Sequence, residues 1–369
     1  MGDLLLLEVS PPLFIGIIIS FLIEHLLQPG VLPFWKRPSA AFALHVGLWL
    51  LLFSFELAVF RRPWFAAAIV LIFMLIVVLV SNAKFQFLGE PFILQDYEYF
   101  IDTLMHPRLF IPFFGLGKAL VAFVGFGVAM FAGLTFELSL TSQVANTNFF
   151  LAVASLIILG ITLLWLGARK KLPVVFEPET DLLQLGMLAS LWRYGEEEYS
   201  ACKLPPHSQF TKPAEEISGK LPNLVVVQSE SFFDVRNTIA GIRTEILQEF
   251  DSLQASATCQ GKLKVPAWGA NTVRTEFAFL SGLNPKKLGV HRFNPYRKLA
   301  RQGAPTLASF LKNLGYRTVC VHPYPASFYS RDKVFPLLGF DDFIDIRSFD
   351  SDAMTGPYVG DVALAEKVC

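Results

Sequence analysis

Three residues in the second half of the chain could do chemistry together. Thr272 lies in the stretch Trp268–Leu280, where Asn271 reads as a capping residue and Val273, Phe277 and Leu280 recur at helical spacing. That spacing predicts a helix opening at Thr272. Its hydroxyl then sits in the first turn, where N–H groups and the helix dipole favour a phosphate or a developing alkoxide. Glu230 follows the apolar run Leu224–Val227, and His322 follows Arg317–Val321. Both runs read as buried parallel strands, and in such sheets ligands gather at the carboxyl ends of the strands. All three residues are therefore expected on one rim. A carboxylate, a hydroxyl nucleophile and a divalent metal form a coherent set, because the metal depresses the hydroxyl pKa and polarises a phosphoryl oxygen. Zinc or manganese suits these ligands, with magnesium as a third option. Each residue also has a plain reading: a helix start, a surface acid and a capping imidazole.

The elements that must position them form an α/β domain with a mostly parallel sheet. Strands are expected at Leu224–Val227, Leu263–Val265 and Arg317–Val321, with an edge element at Phe340–Ile346. Helices are expected around Ile246–Leu253, after Thr272 and over Pro305–Leu314, the last with Gly315 just past its end. A second cluster, His291, Arg292, Asn294, Tyr296 and Arg297, reads either as an acceptor site or as a solvated loop.

Ahead of this domain the chain changes character. Hydrophobic residues make up 53% of the 369, with 36 Phe and a mean hydropathy of +0.48. The excess lies almost wholly before residue 170, which argues for a membrane half followed by a soluble half. Five runs are long and apolar enough to span a bilayer: Leu13–Leu27, Ala41–Phe60, Trp64–Val80, Ile111–Phe136 and Phe149–Gly167. Glu24 and His25 end the first and shortest run and are expected to be solvated at the interface. No signal-peptide pattern is visible, so this first span is expected to stay in the mature chain. Lys84–Phe110, with aromatic residues among acids, suits the membrane–water interface. A connector follows, with an amphipathic helix over Asp181–Tyr194 expected to lie along the membrane surface. The expected domains are thus residues 1–168, 169–220 and 221–369. A net charge of +0 without a basic tract points away from nucleic acid. The four cysteines, Cys202, Cys259, Cys320 and Cys369, lack the spacing of a zinc site or a redox dithiol.

Asn223–Phe232, Gly269–Phe277 and His322–Arg331 resemble the lipoteichoic acid synthase family of membrane phosphoglycerol transferases, within the alkaline phosphatase/sulfatase superfamily. Gly89-Glu90-Pro91 and the five spans resemble it too. The resemblance implies that Glu230 binds the metal and that Thr272, four residues before Glu276-Phe277, is both nucleophile and metal ligand. It implies that His322, Tyr329 and Arg331 contact the headgroup, with Tyr329 where tryptophan is usual. A phosphatidylglycerol-type lipid would be the donor and a glycan or polymer hydroxyl the acceptor. The protein would be a multi-pass protein of the inner (cytoplasmic) membrane with its soluble domain outside.

Two features depart from that pattern. The superfamily completes its metal site with an Asp-His pair and a further histidine, whereas this sequence holds six histidines and no Asp-His dipeptide. The sequence is therefore expected to be a truncated piece of a sulfatase-like domain, inactive by itself. Charge gives the second conflict. A cytoplasmic N-terminus leaves Arg61 and Arg62 in inside loops and puts Lys36, Arg37, Lys84, Arg108 and Arg169–Lys171 outside, against the positive-inside tendency. Large domains translocate despite nearby charge, so the soluble half is still expected outside. Two alternatives stand beside this reading: a phosphoethanolamine transferase of the same superfamily, and a non-catalytic membrane protein that binds lipid.

Overall fold

The computed structural model describes residues 2–97, 116–200, 204, 209–211, 219, 221–229, 232–267, 269 and 271–369. The chain forms two compact units. One is Met1–Lys203 with Leu288–Asn294, and the other is Leu204–Lys287 with Pro295–Cys369.

In the first unit the long helices are α1 (Gly2–Glu24), α2 (Ser39–Phe60), α3 (Pro63–Leu88), α4 (Leu116–Phe136) and α5 (Asn146–Arg169). Five helices are long and apolar enough to cross a membrane. Prolines and left-handed residues set the ends. Pro38 stands extended before α2, Pro63 opens α3 where a missing N–H costs little, and Gly89 (φ 62°) closes α3. The first span differs from expectation. Its helix runs back to Gly2 through Pro11 and Pro12, so it is not short. Each proline removes one donor, and the flanking apolar residues still favour a helix in lipid.

Packing centres on α2. A Cβ at Gly47 would lie 2.9 Å from the Gly160 carbonyl and from the Leu164 amide, so only glycine allows α2 and α5 this close. Trp49, Phe53, Leu57, Met74 and Phe149 fill the shared core. Phe14, Ile18, Ile158 and Trp165 point outward, as lipid-facing residues do.

Glu24 overturns its expected place. Only His25 is exposed; Glu24 is wholly buried. Its carboxylate pairs with Arg37 and lies 3.3 Å from His45 Nδ1. It also accepts the backbone N–H groups of Met187 (2.7 Å) and Leu188 (3.3 Å). His45 Nε2 in turn meets Ser20 Oγ at 2.8 Å. A buried carboxylate persists only with such partners.

Those two N–H groups open a helix, which corrects the connector as well. The amphipathic run is two helices, α6 (Pro178–Leu185) and α7 (Met187–Tyr199), broken at Gly186 (φ 80°). A Cβ at Gly186 would collide with the Arg37 guanidinium and the Glu24 carboxylate. Leu182, Leu185, Leu188 and Ala189 are buried within this unit and do not face lipid. In the loop after α3, Lys84 Nζ bonds Glu90 and Asp96 at 2.7 Å each, tying down the Gly-Glu-Pro turn. Residues 98–110 of that expected interfacial stretch lie outside the described residues.

The second unit holds α8 (Gln248–Ser256), α9 (Thr272–Ser281), α10 (Pro295–Lys298), α11 (Leu307–Asn313) and α12 (Arg331–Leu337). A small parallel sheet pairs β1 (Val319–Val321) with β2 (Asp342–Ile344) in the register Val319↔Asp342 to Val321↔Ile344. A second, antiparallel pair joins β3 (Met354–Thr355) and β4 (Tyr358–Val359), ahead of α13 (Asp361–Val368). Thr306 rather than Pro305 starts α11, by a reciprocal cap with Ser309. Two expected strands are not formed. Leu224–Val227 and Leu263–Val265 are irregular, and Val227 and Leu263 are 82% and 78% exposed. A central parallel strand needs a neighbour on each edge, and among the described residues neither run pairs with one.

Candidate functional site

The site is built from α9 outward. Val273, Phe277 and Leu280 are buried, so the predicted apolar face of α9 does anchor it. Phe277 meets Tyr296 edge-on, Tyr296 meets Phe335, and Phe335 meets Phe343 of β2. This aromatic chain fixes α9 relative to α12 and the sheet. Asn271 occupies the N-cap position, but its side chain does not make the expected capping bond (φ −94°, ψ 50°).

Thr272 and Glu276 stand one turn apart on the same side of α9, since residues i and i+4 are neighbours on a helix. Glu276 accepts hydrogen bonds from Arg331 Nη2 (3.1 Å) and Nε (3.3 Å), and from the Tyr296 hydroxyl. Arg331 is 2% exposed, and its Nη1 has no partner among the described residues. The guanidinium spends its Nε–Nη2 edge on Glu276, and the two N–H donors of its buried Nη1 are unpaired among the described residues. Buried cationic donors in this condition suit a phosphate oxygen.

The residues just before Arg331 are held in an unusual backbone. Tyr329 (φ 57°) and Ser330 (φ 52°) both adopt left-handed conformations. Such conformations cost energy without glycine and persist where surrounding contacts over-determine them. Here the turn sets the Tyr329 ring 5.1 Å from the Arg331 guanidinium. His322 follows β1, its N–H bonded to the Ile344 carbonyl at 2.9 Å. Burial, with Arg331 adding to it, pushes the imidazole down to about 4. At neutral pH His322 is uncharged and offers one donor and one acceptor. Burial, then Glu276, pushes the Cys320 thiol up to about 12, so it is no thiolate nucleophile at neutral pH.

Arg331 thus joins α9 to Tyr329 by contact and reaches His322 electrostatically. Glu230 lies outside the described residues. Sequence reasoning missed Glu276 as the group that orients Arg331; its spacing of one turn from Thr272 was the available signal. The second cluster does not hold together as read. His291 is buried 3.7 Å from Glu198, Arg292 reaches Glu177, and Phe293 stacks on Tyr194, all in the first unit. Tyr296 belongs to the second unit, on Glu276. That segment is largely buried and is not a solvated loop.

A divalent ion needs more than these residues provide. Among the described residues, no three histidine, cysteine, aspartate or glutamate side chains converge. Thr272 and Glu230 together would supply two ligands where about four are usual. The described donor set does not fit a tightly held metal.

Residues 222–368 match the family model described as Sulfatase. The fold class is accordingly five apolar helices followed by a sulfatase-domain region with a small parallel sheet. The "Capsular polysaccharide biosynthesis protein RkpI" of Rhizobium meliloti (strain 1021) is 29% identical over 338 residues, covering 86% of this chain and 62% of the relative. A "Putative cyclic beta-1,2-glucan modification protein" of the same organism is 27% identical over 148 residues, covering 40% of this chain and 22% of the relative. The chain spans less than two thirds of either relative. No solved structure matches.

Proposed function

We propose that the whole protein is a membrane-bound transferase that moves phosphoglycerol from a phosphatidylglycerol-type lipid to a glycan hydroxyl through a phosphothreonine at Thr272. One observation carries the reading. A buried arginine whose Nη1 has no partner among the described residues is tied, through Glu276, to the helix that opens with Thr272. The names of the relatives, a capsular polysaccharide biosynthesis protein and a glucan modification protein, favour a glycan as acceptor.

Two in-line displacements follow. Thr272 Oγ1 attacks phosphorus, the bond from phosphorus to the diacylglycerol oxygen breaks, and the threonine proton ends on the released diacylglycerol. A glycan hydroxyl then attacks the same phosphorus, Thr272 leaves, and the acceptor's proton returns to it. Arg331 Nη1 and the N-terminus of α9 take the negative charge on the phosphoryl oxygens. Tyr329 and neutral His322 serve the glycerol end as a wall and a hydrogen-bond partner.

Arg331→Lys tests the phosphate contact. Lysine keeps the charge but loses the fork that holds Glu276 while presenting Nη1. Losing one charge-assisted hydrogen bond costs about 1.5–3 kcal/mol, so transfer by membranes carrying the protein should fall roughly 10- to 100-fold. Wild-type turnover in this variant would make Arg331 purely structural.

The proposal also places the second unit outside the cytoplasmic membrane, where an outer-leaflet lipid can reach it. Ser348 is exposed and serves as a reporter once the four native cysteines are replaced. Ser348→Cys should react with a membrane-impermeant maleimide on intact cells. Labelling only after lysis would reverse the topology and remove the lipid donor with it.

A further inference from the structure

The loop after β1 carries a row of aromatic rings that the proposed transfer uses only at one end. Tyr324 meets Phe328 edge-on with ring centroids 5.1 Å apart, and Phe328 meets Tyr329 at 4.0 Å. The Tyr329 ring lies 5.1 Å from the Arg331 guanidinium, so the row starts at the group assigned to the phosphoryl oxygens and leads away from it. All three rings are half-buried, and each keeps part of its surface in water. Hydrogen bonds fix the loop that presents them. The Ile346 N–H reaches the Tyr324 carbonyl (3.5 Å), the Ala326 N–H reaches Asp345 Oδ2 (3.4 Å), and the Asp332 N–H reaches the Ala326 carbonyl (3.0 Å). Asp345 is itself buried, just past the end of β2. With Tyr329 and Ser330 both left-handed, this loop carries strain, and strain that survives in a loop points to a use.

A fourth ring comes from a different element of the same unit. Tyr358 of β4 is 48% exposed and pairs with Thr355 across its hairpin. It stands close enough to Tyr324 that, after burial, its phenol pushes the Tyr324 phenol up. Each tyrosine combines an apolar ring face with a hydroxyl at its tip. A sugar ring has the complementary make-up, one face of C–H groups and a rim of hydroxyls. An acyl chain would leave the phenol hydroxyls against hydrocarbon. A second anionic group would meet no cation in the row before Arg331.

We propose that Tyr324, Phe328 and Tyr358 form the acceptor subsite, where one sugar ring of the glycan stacks while its hydroxyl reaches the phosphorus on Thr272. The choice of a glycan rests on the proposed function, and the subsite adds where that glycan is held. The chemistry is the second displacement: the acceptor oxygen bonds phosphorus, the Thr272 oxygen leaves it, and the acceptor's proton passes to Thr272. These three rings bind and orient the acceptor and take no part in making or breaking bonds.

Two measurements on the whole protein in nanodiscs test it, with the glucose disaccharide sophorose as the sugar and glycerol as the ringless acceptor. In the first, headgroup-labelled phosphatidylglycerol loads Thr272, and passage of the label to either acceptor is followed. Tyr324→Ala should load like wild type and raise the KM for sophorose about tenfold or more, with kcat and discharge to glycerol within about twofold. Tyr324→Phe keeps the ring and should stay within about threefold of wild type. Tyr358→Ala, on an exposed hairpin, should raise the same KM, and it decides the matter should Tyr324→Ala fail to fold. An unchanged KM, slower loading by the lipid, or an equal loss toward sophorose and glycerol would overturn the subsite. So would a wild type that discharges to glycerol as readily as to sophorose. The second measurement needs no transfer: saturation-transfer NMR should pass magnetisation from the aromatic rings to sophorose, at least about fivefold less in Tyr324→Ala. A sugar signal dependent on Tyr324 without any loading of Thr272 would sink the transfer reading alone. Normal loading with a sugar signal indifferent to Tyr324 and Tyr358 would sink the subsite alone.

Discussion

Thr272→Ala is expected to abolish covalent labelling by phosphatidylglycerol bearing a radioactive headgroup and to lower transfer by about three orders of magnitude or more. No hydroxyl remains on the first turn of α9 to hold the phosphoryl group between the two displacements. The fold should survive. Val273, Phe277 and Leu280 keep α9 anchored, and Thr272 is only partly buried at a helix start, so the stability change should stay within about 1 kcal/mol. The measurement is gel autoradiography followed by mass analysis of the Thr272 peptide. Undiminished labelling in the variant would end the assignment of Thr272 as nucleophile. An adduct mass of phosphoethanolamine in the wild type would keep the nucleophile and change the donor.

Removing the carboxylate at Glu24 should have the largest effect on stability. In Glu24→Ala the buried Arg37 guanidinium loses its counter-ion, and the Met187 and Leu188 N–H groups lose their acceptor. Breaking one partner out of a buried ion pair costs about 3–5 kcal/mol, enough to lower the detergent-solubilised melting temperature by many degrees. Glu24→Gln keeps an acceptor oxygen for the two N–H groups and should fall between wild type and alanine. Arg37→Ala combined with Glu24→Ala should cost clearly less than the two single changes summed, because the double variant strands no charge. A Glu24→Ala protein that melts with the wild type would show that α7 is held without this carboxylate.

Both variants concern residues visible in the sequence, but they were legible to different degrees. The apolar face of α9 follows from Val273, Phe277 and Leu280, and the position of Thr272 in the first turn follows from that face. Hydropathy and length located all five long helices, because burial in lipid demands a continuous apolar run whatever the neighbours are. The Arg317–Val321 and Phe340–Ile346 elements appeared as β1 and β2 within a residue or two at each end. These are local properties, carried by spacing and composition.

Partner choice is not local, and only the tertiary structure decided it. Glu24 reads from its position as an interfacial acid. It is buried because Arg37, His45 and the first amides of α7, far along the chain, converge on it. Asp181–Tyr194 has the pattern of a surface-lying helix, yet the close approach of Arg37 and Glu24 leaves Gly186 no room for a side chain, and the chain breaks there. Leu224–Val227 has the composition of a buried strand and remains exposed, since a strand is completed by neighbours and not by its own residues. At the candidate site the sequence supplied Thr272, His322, Tyr329 and Arg331. That Glu276 would clasp Arg331 required two segments more than fifty residues apart to meet, and the sequence alone does not specify such a meeting.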